Sequence, residues 1–176
     1  DAVAKSNILI QNGVAGTTAI ADVSRLWSQD VVAGQSNLYA MNESKTITRL
    51  TGLHSYTTSN FAAAVTTTLA NITGLSLYVE AGKTYQFEAG LFVDADATGG
   101  HKYAISGVTT TATSIVYQIN SISNTTNAFI INSRETALAG DAGQAGATTV
   151  WTEIKGTIVV NAAGTLTVQF AQNVAN

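Results

Sequence analysis

The chain has 176 residues, a mass of 18.2 kDa and a formal net charge of −3, which suits one domain of ordinary size plus an arm. Charged residues are only 11% against about 25% in an average soluble domain, and Lys and Arg are scattered, which excludes the basic surface that phosphate backbones need. The absence of Cys excludes a disulfide framework, a thiolate nucleophile and a Cys-based zinc site, and no apolar run approaches the ~18 residues of a membrane helix.

The first fifty residues mix a short apolar run, Ile8-Leu-Ile10, with the turn signal Asn12-Gly13. Leu38-Tyr-Ala-Met41, Asn42-Glu-Ser-Lys45 and Thr46-Ile-Thr-Arg-Leu50 read as a further hairpin. A lone hairpin is marginal in water, so this N-terminal arm is expected to lean on the main domain, on a sister subunit or on another protein. The boundary is placed at Gly52 to Ser59, giving an arm and hairpin over 1–52 and a sandwich over 53–176.

Phe61-Ala-Ala-Ala-Val-Thr-Thr-Thr-Leu69 is read as strand, its Thr triplet outweighing its Ala. From there the period is two, the mark of strands with one buried face. Leu75, Leu77 and Val79 share a face, Ala81-Gly82-Lys83 is a turn, and the return places Tyr85, Phe87, Ala89, Leu91 and Val93 inside against Thr84, Gln86 and Glu88. Tyr103–Ile105, Ser114–Ile119 and Ala128–Ile131 are short β-rich runs. Val150, Ile154, Ile158 and Val160 then alternate against Trp151, Glu153 and Lys155, and after Asn161-Ala-Ala-Gly164 the residues Leu166, Val168 and Phe170 share a face. About seven or eight strands with turn signals every 8 to 12 residues predict an all-β antiparallel sandwich of jelly-roll type. With no Pro and few Lys to blunt its sheet edges, the domain is expected to have them covered by neighbours.

Candidate chemistry is sparse. Gly82-Lys83-Thr84 ends like a phosphate-binding loop, but Leu77 stands where the first Gly belongs and a strand follows where a helix is needed. Gly140–Gly146 spaces its glycines by three and reads as a loop. Asp94, Asp96 and His101 form the one cluster resembling a ligand set, with no defined metal spacing; they are kept as loop recognition residues. His54 and His101 lie beside no nucleophile elbow. The acidic residues Glu80, Glu88, Asp94, Asp96, Glu135, Asp141 and Glu153 show no pairing that would mark glycoside hydrolysis. Asn71-Ile-Thr73 and Asn124-Thr-Thr126 match a glycosylation sequon by composition. Trp151, out of phase with Val150, Ile154 and Ile158, is predicted to face outward toward another subunit or a ligand.

Four segments carry a resemblance: Asn71–Leu77, Ala81–Ala89, Gly100–Gly107 and Gly156–Asn173. Together they resemble a domain of tailed-bacteriophage virion proteins, described as tail, tail-fibre or capsid-surface proteins. The likeness spans about 65–176. Ser24–Asp30 with Leu38–Ser44 and Thr48–Leu50 more loosely resembles a phage linker hairpin, with Ser44-Lys45 where that pattern has an acidic residue and Gly-Asn. The resemblance implies a jelly-roll-like domain on the virion surface, forming a homotrimer without catalysis or cofactor. The expected role is capsid decoration, a cement protein whose partners are the major capsid protein or other virion proteins, with no nucleic acid or membrane. Its interface residues would be Trp27, Leu38, Tyr39, Met41, Ile47, Leu50 and Trp151. The alternative is a tail-fibre or spike adhesin binding host glycans through Asp94–His101 and Ala139–Thr148; a depolymerase is a third, weaker reading.

Overall fold

The computed structural model describes residues 25–32, 35–42, 46–49, 52–63, 66–94, 98–123, 128–144 and 149–174. Within these the chain is all-β, without a helix, and clusters into two compact units, Asp1–Leu53 and His54–Asn176. The apolar run Ile8–Ile10 with the Asn12-Gly13 turn signal, the Ser44-Lys45 turn, Leu50 and Asp96 lie outside the described residues.

The first unit contains an antiparallel meander, β1 (Arg25–Val32), β2 (Gln35–Met41) and β3 (Ile47–Arg49). Asn42 holds its second turn: Thr46 N–H donates to Asn42 Oδ1 at 2.8 Å and Asn42 N–H to the Thr46 carbonyl at 3.1 Å. Trp27 and Tyr39 are register partners, and their rings stack with centroids 5.6 Å apart. Such directly opposed aromatic pairs are a main source of stability in small sheets.

The second unit has eight strands: β4 (Ala70–Val79), β5 (Thr84–Asp94), β6 (His101–Val108), β7 (Thr111–Ser123), β8 (Phe129–Glu135), β9 (Asp141–Gln144), β10 (Thr149–Ala162) and β11 (Gly164–Ala171). They form two antiparallel sheets, β5-β10-β7-β8 and β4-β11-β6-β9. The pairs β4–β11, β5–β10, β6–β9 and β7–β8 are those of one long hairpin rolled up on itself, the connectivity expected of a jelly roll. Inward residues of both sheets, among them Ile72, Val79, Tyr103, Ile105, Ile119, Ile154, Ile158 and Val168, make one core.

Two polar devices join the sheets inside this core. Ser121 and Thr152, register partners on β7 and β10, lie 2.6 Å apart at their hydroxyls, and Thr152 Oγ1 donates to the Tyr103 hydroxyl of the facing sheet at 2.9 Å. Tyr117 on β7 reaches across likewise: its hydroxyl accepts from Ile105 N–H at 3.3 Å and donates to the Gly140 carbonyl. Burial pushes the Tyr117 hydroxyl up to about 12 and raises Tyr103 further, so both remain neutral across the physiological range. Gly156 provides the room, because a Cβ there would lie 2.4 Å from Tyr117 Cβ and 2.7 Å from the Phe87 ring.

One expected strand is absent. Of the segment 61–69, the described residues 61–63 and 66–69 pair with no sheet; Thr68 N–H turns back to Thr66 Oγ1 at 3.2 Å, a local bond that competes with a ladder. The Thr66 carbonyl accepts from Gln172 N–H, Phe61 packs on the core, and the strand begins at Ala70.

Apolar packing and the Tyr117 cross-sheet bonds make separable contributions. Ile154→Ala, a cavity at a fully buried position, is expected to cost about 3 kcal/mol. Tyr117→Phe, which orphans the Ile105 amide and the Gly140 carbonyl, should cost about 1–3 kcal/mol. Urea denaturation midpoints measure both, and a Tyr117→Phe midpoint equal to that of the parent would refute the cross-sheet role.

Candidate functional site

Alternation in β10 sends Thr149, Trp151, Glu153 and Lys155 to the outer face of the β5-β10-β7-β8 sheet. The register then fixes what stands beside them. Trp151 pairs with Phe92 on β5 and with Ile122 on β7, and Ile122 pairs with Phe129 on β8 through a bulge. Phe92, Trp151, Ile122 and Phe129 therefore form one row across all four strands. Phe92 is 73%, Phe129 60% and Trp151 49% exposed, well above what isolated aromatic side chains need explained as chance.

Polar groups border the row on both sides. On one side Thr149 Oγ1 donates to Asp94 Oδ1 at 3.3 Å. On the other, Gly90, Glu153, Asn120 and Asn132 form the next register row. Gly90 is the vacancy into which the indole leans: a Cβ at that position would stand 2.6 and 2.8 Å from two atoms of the Trp151 six-membered ring. Beyond it Lys155 Nζ lies 2.6 Å from Glu153 Oε1 and 3.5 Å from Glu88 Oε1, and its hydrogen bond to Glu153 raises the ammonium above its ordinary value. Gln118 Nε2 donates to Asn132 Oδ1 at 2.9 Å. Asn120 Oδ1 is buried and has no partner among the described residues.

The other sequence-predicted residues scatter. Trp27, Tyr39, Met41 and Ile47 share one face of the first unit's sheet by register, while Leu38 belongs to the opposite face with Leu26. Trp27 and Met41 are buried, which removes them from any free surface of the chain, whereas Ile47 stays 51% exposed. The grouping of Asp94 with His101 as a recognition loop is corrected. Asp94 is exposed at the end of β5, but His101 opens β6 on its inward face, fully buried, its ring 5.3 Å from that of Tyr103. Neither ring nitrogen has a partner among the described residues, so burial lowers the imidazole to about 4. No three His, Asp or Glu side chains among the described residues are placed to hold a metal ion.

At the open side of the sandwich, between β4 and β5, a cleft of about 160 Å³ is lined by Leu75, Leu77, Phe87, Ala89, Leu166 and Val168. It is below the ~300 Å³ of ordinary ligand sites and offers few convergent polar groups. Sequence reasoning found Trp151 but missed its companions. Phe92 was legible, being out of phase with Leu91 and Val93; Phe129 was not, because the bulge beside it breaks the alternation. No family model, curated protein or solved structure matches the chain.

His101 gives a pH dependence of definite sign. The unfolded chain takes up a proton near pH 6.5 and the folded chain only near 4, so stability is complete above about pH 6.5 and falls between those values, by ~3 kcal/mol at most. His101→Phe should flatten that part of the stability curve; equal slopes for both proteins in urea titrations from pH 7 to 4 would contradict the burial of a neutral imidazole.

Proposed function

We propose that the chain is a non-enzymatic structural protein of a tailed-phage particle, a homotrimeric decoration protein on the capsid surface. The observation that carries this reading is the first unit's meander. Among the described residues this is a three-stranded sheet with a three-residue edge strand, and Leu26 and Ile47 stay about half exposed, apolar surface that an anchoring element would lay against a partner. The sandwich supplies the displayed body, and the resemblance over 65–176 supplies the setting. A protein that binds only the assembled shell stabilises it by mass action, which asks for contact area and no reacting group. The major capsid protein is the partner this role requires.

A second reading, a tail-fibre or spike adhesin, is favoured by one specific observation: the exposed aromatic row with polar borders. Abundance separates the two, since decoration implies copies in proportion to shell subunits and adhesion implies a few at the tail.

Removal of residues 1–53 is expected to leave a trimeric sandwich that melts cooperatively but no longer occupies particles lacking the native protein. Cosedimentation with such particles measures this, and undiminished occupancy would defeat the anchoring role.

A further inference from the structure

We infer that the outer face of the β5-β10-β7-β8 sheet carries a glycan subsite in which a pyranose ring stacks on Trp151, with Phe92 and Phe129 extending the platform to either side. The inference deepens the adhesin reading and rests on it for the origin of the glycan. It moves recognition from the loops to the sheet face.

The shape of the row selects the occupant. Its backbone positions span three inter-strand spacings, roughly 14 Å, and it is one residue deep except at Gly90, over which the indole lies. The positions two residues away along the strands are Asp94 and Thr149 on one side and Gly90, Glu153, Asn120 and Asn132 on the other. A second copy of the chain would need about 800 Å² on each partner, built around a broad apolar centre. A narrow aromatic strip between hydrogen-bonding borders instead fits a short oligosaccharide laid across the strands. Its C–H faces meet the rings, and its hydroxyl edges meet Asp94 and Thr149 on one side and Glu153, Asn120 and Asn132 on the other.

The details agree with that occupant. The side chain missing at Gly90 lets the indole settle across β5, which fixes one of its faces against the sheet and leaves the ring half exposed as a shelf. The Lys155 ion pair orients Glu153 beside the shelf, leaving it able to accept from a sugar hydroxyl. Asn120, between Glu153 and Asn132, holds a carbonyl oxygen without a partner among the described residues, and a side-chain rotation would offer its amide to the same ligand. Trp151 is fixed by the sheet it lies on, so little ordering is needed on binding.

The full chain, titrated calorimetrically with chitotriose, cellotriose and purified surface polysaccharide from cells that adsorb the particle, tests this. Saturable binding of at least one probe is expected, weakened about tenfold or more by Trp151→Ala, weakened less by Trp151→Phe, and weakened by Gly90→Ala, whose methyl displaces the indole. Native mass spectrometry should give the same oligomeric mass for all variants. Polysaccharide binding unmoved by Trp151→Ala would overturn the subsite while leaving the adhesin reading intact. Absence of binding to every probe would overturn both, and a lowered oligomeric mass in Trp151→Ala or Phe129→Ser would overturn the subsite by making the row a subunit contact.

Discussion

The burial of one face of β10 governs the rest of the molecule. This fourteen-residue strand pairs with β5 on one side and β7 on the other, and Val150, Ile154 and Ile158 are wholly withdrawn from water. Because side chains alternate strictly, burying these residues commits Trp151, Glu153 and Lys155 to the opposite face, and a one-residue slip would exchange the two sets. Burying Trp151 in exchange would then place Glu153 and Lys155 in the core, at a cost far above any gain in stacking. The register that stabilises the sandwich is thus the register that assembles the surface row.

The buried hydroxyls sharpen that choice. Hydrophobic packing alone tolerates many arrangements of Ile, Val and Leu, whereas Ser121, Thr152 and Tyr103 are satisfied only when β7, β10 and β6 meet at one relative position. Tyr117 imposes a second such condition between Ile105 and Gly140. A misaligned sheet would leave these groups buried and unpaired, which costs more than the bonds themselves contribute. His101, buried close to Tyr103 without a comparable partner among the described residues, shows the converse: it adds packing to the core and makes that core sensitive to protons.

Much of the sandwich was legible in the sequence because its signal is periodic. Leu75 to Val79, Tyr85 to Val93 and Val150 to Val160 each repeat every second residue, and each is a strand with the expected inward set. Where the signal was compositional it failed. The Thr triplet at 66–68 favours strand statistically, yet the Thr66 hydroxyl accepts a local bond from Thr68 N–H and these three residues join no sheet. His101 follows a Gly pair and resembles a loop residue, but its place in the 101, 103, 105 alternation points it inward. The surface row was half legible: strand phase identifies Trp151 and Phe92 separately, but their adjacency depends on register, which is a property of two strands and not of either alone. Phe129 joins only through a bulge, for which the local sequence has no marker.

The edges of the two sheets bear on assembly. On one side β8 and β9 approach each other, closing the roll, while on the other β4 and β5 leave a cleft. There the chain protects β4 itself: Gly74, at a positive φ of 92°, admits the backbone of Tyr56 so closely that a Cβ would stand 2.7 Å from the Tyr56 carbonyl oxygen. Along β5 the protection is weaker. It is an eleven-residue edge strand whose only charges are Glu88 and Asp94, with neither Pro nor Lys. Both carboxylates lie on the outer face, and among the described residues the backbone row between them has no strand partner on its outer side. A protein that must remain dispersed would be expected to blunt such an edge, and one that functions only among copies of itself need not. The trimer proposed for this chain is therefore best sought at β5, beside the aromatic row rather than on it, where backbone pairing would leave the Trp151 shelf free.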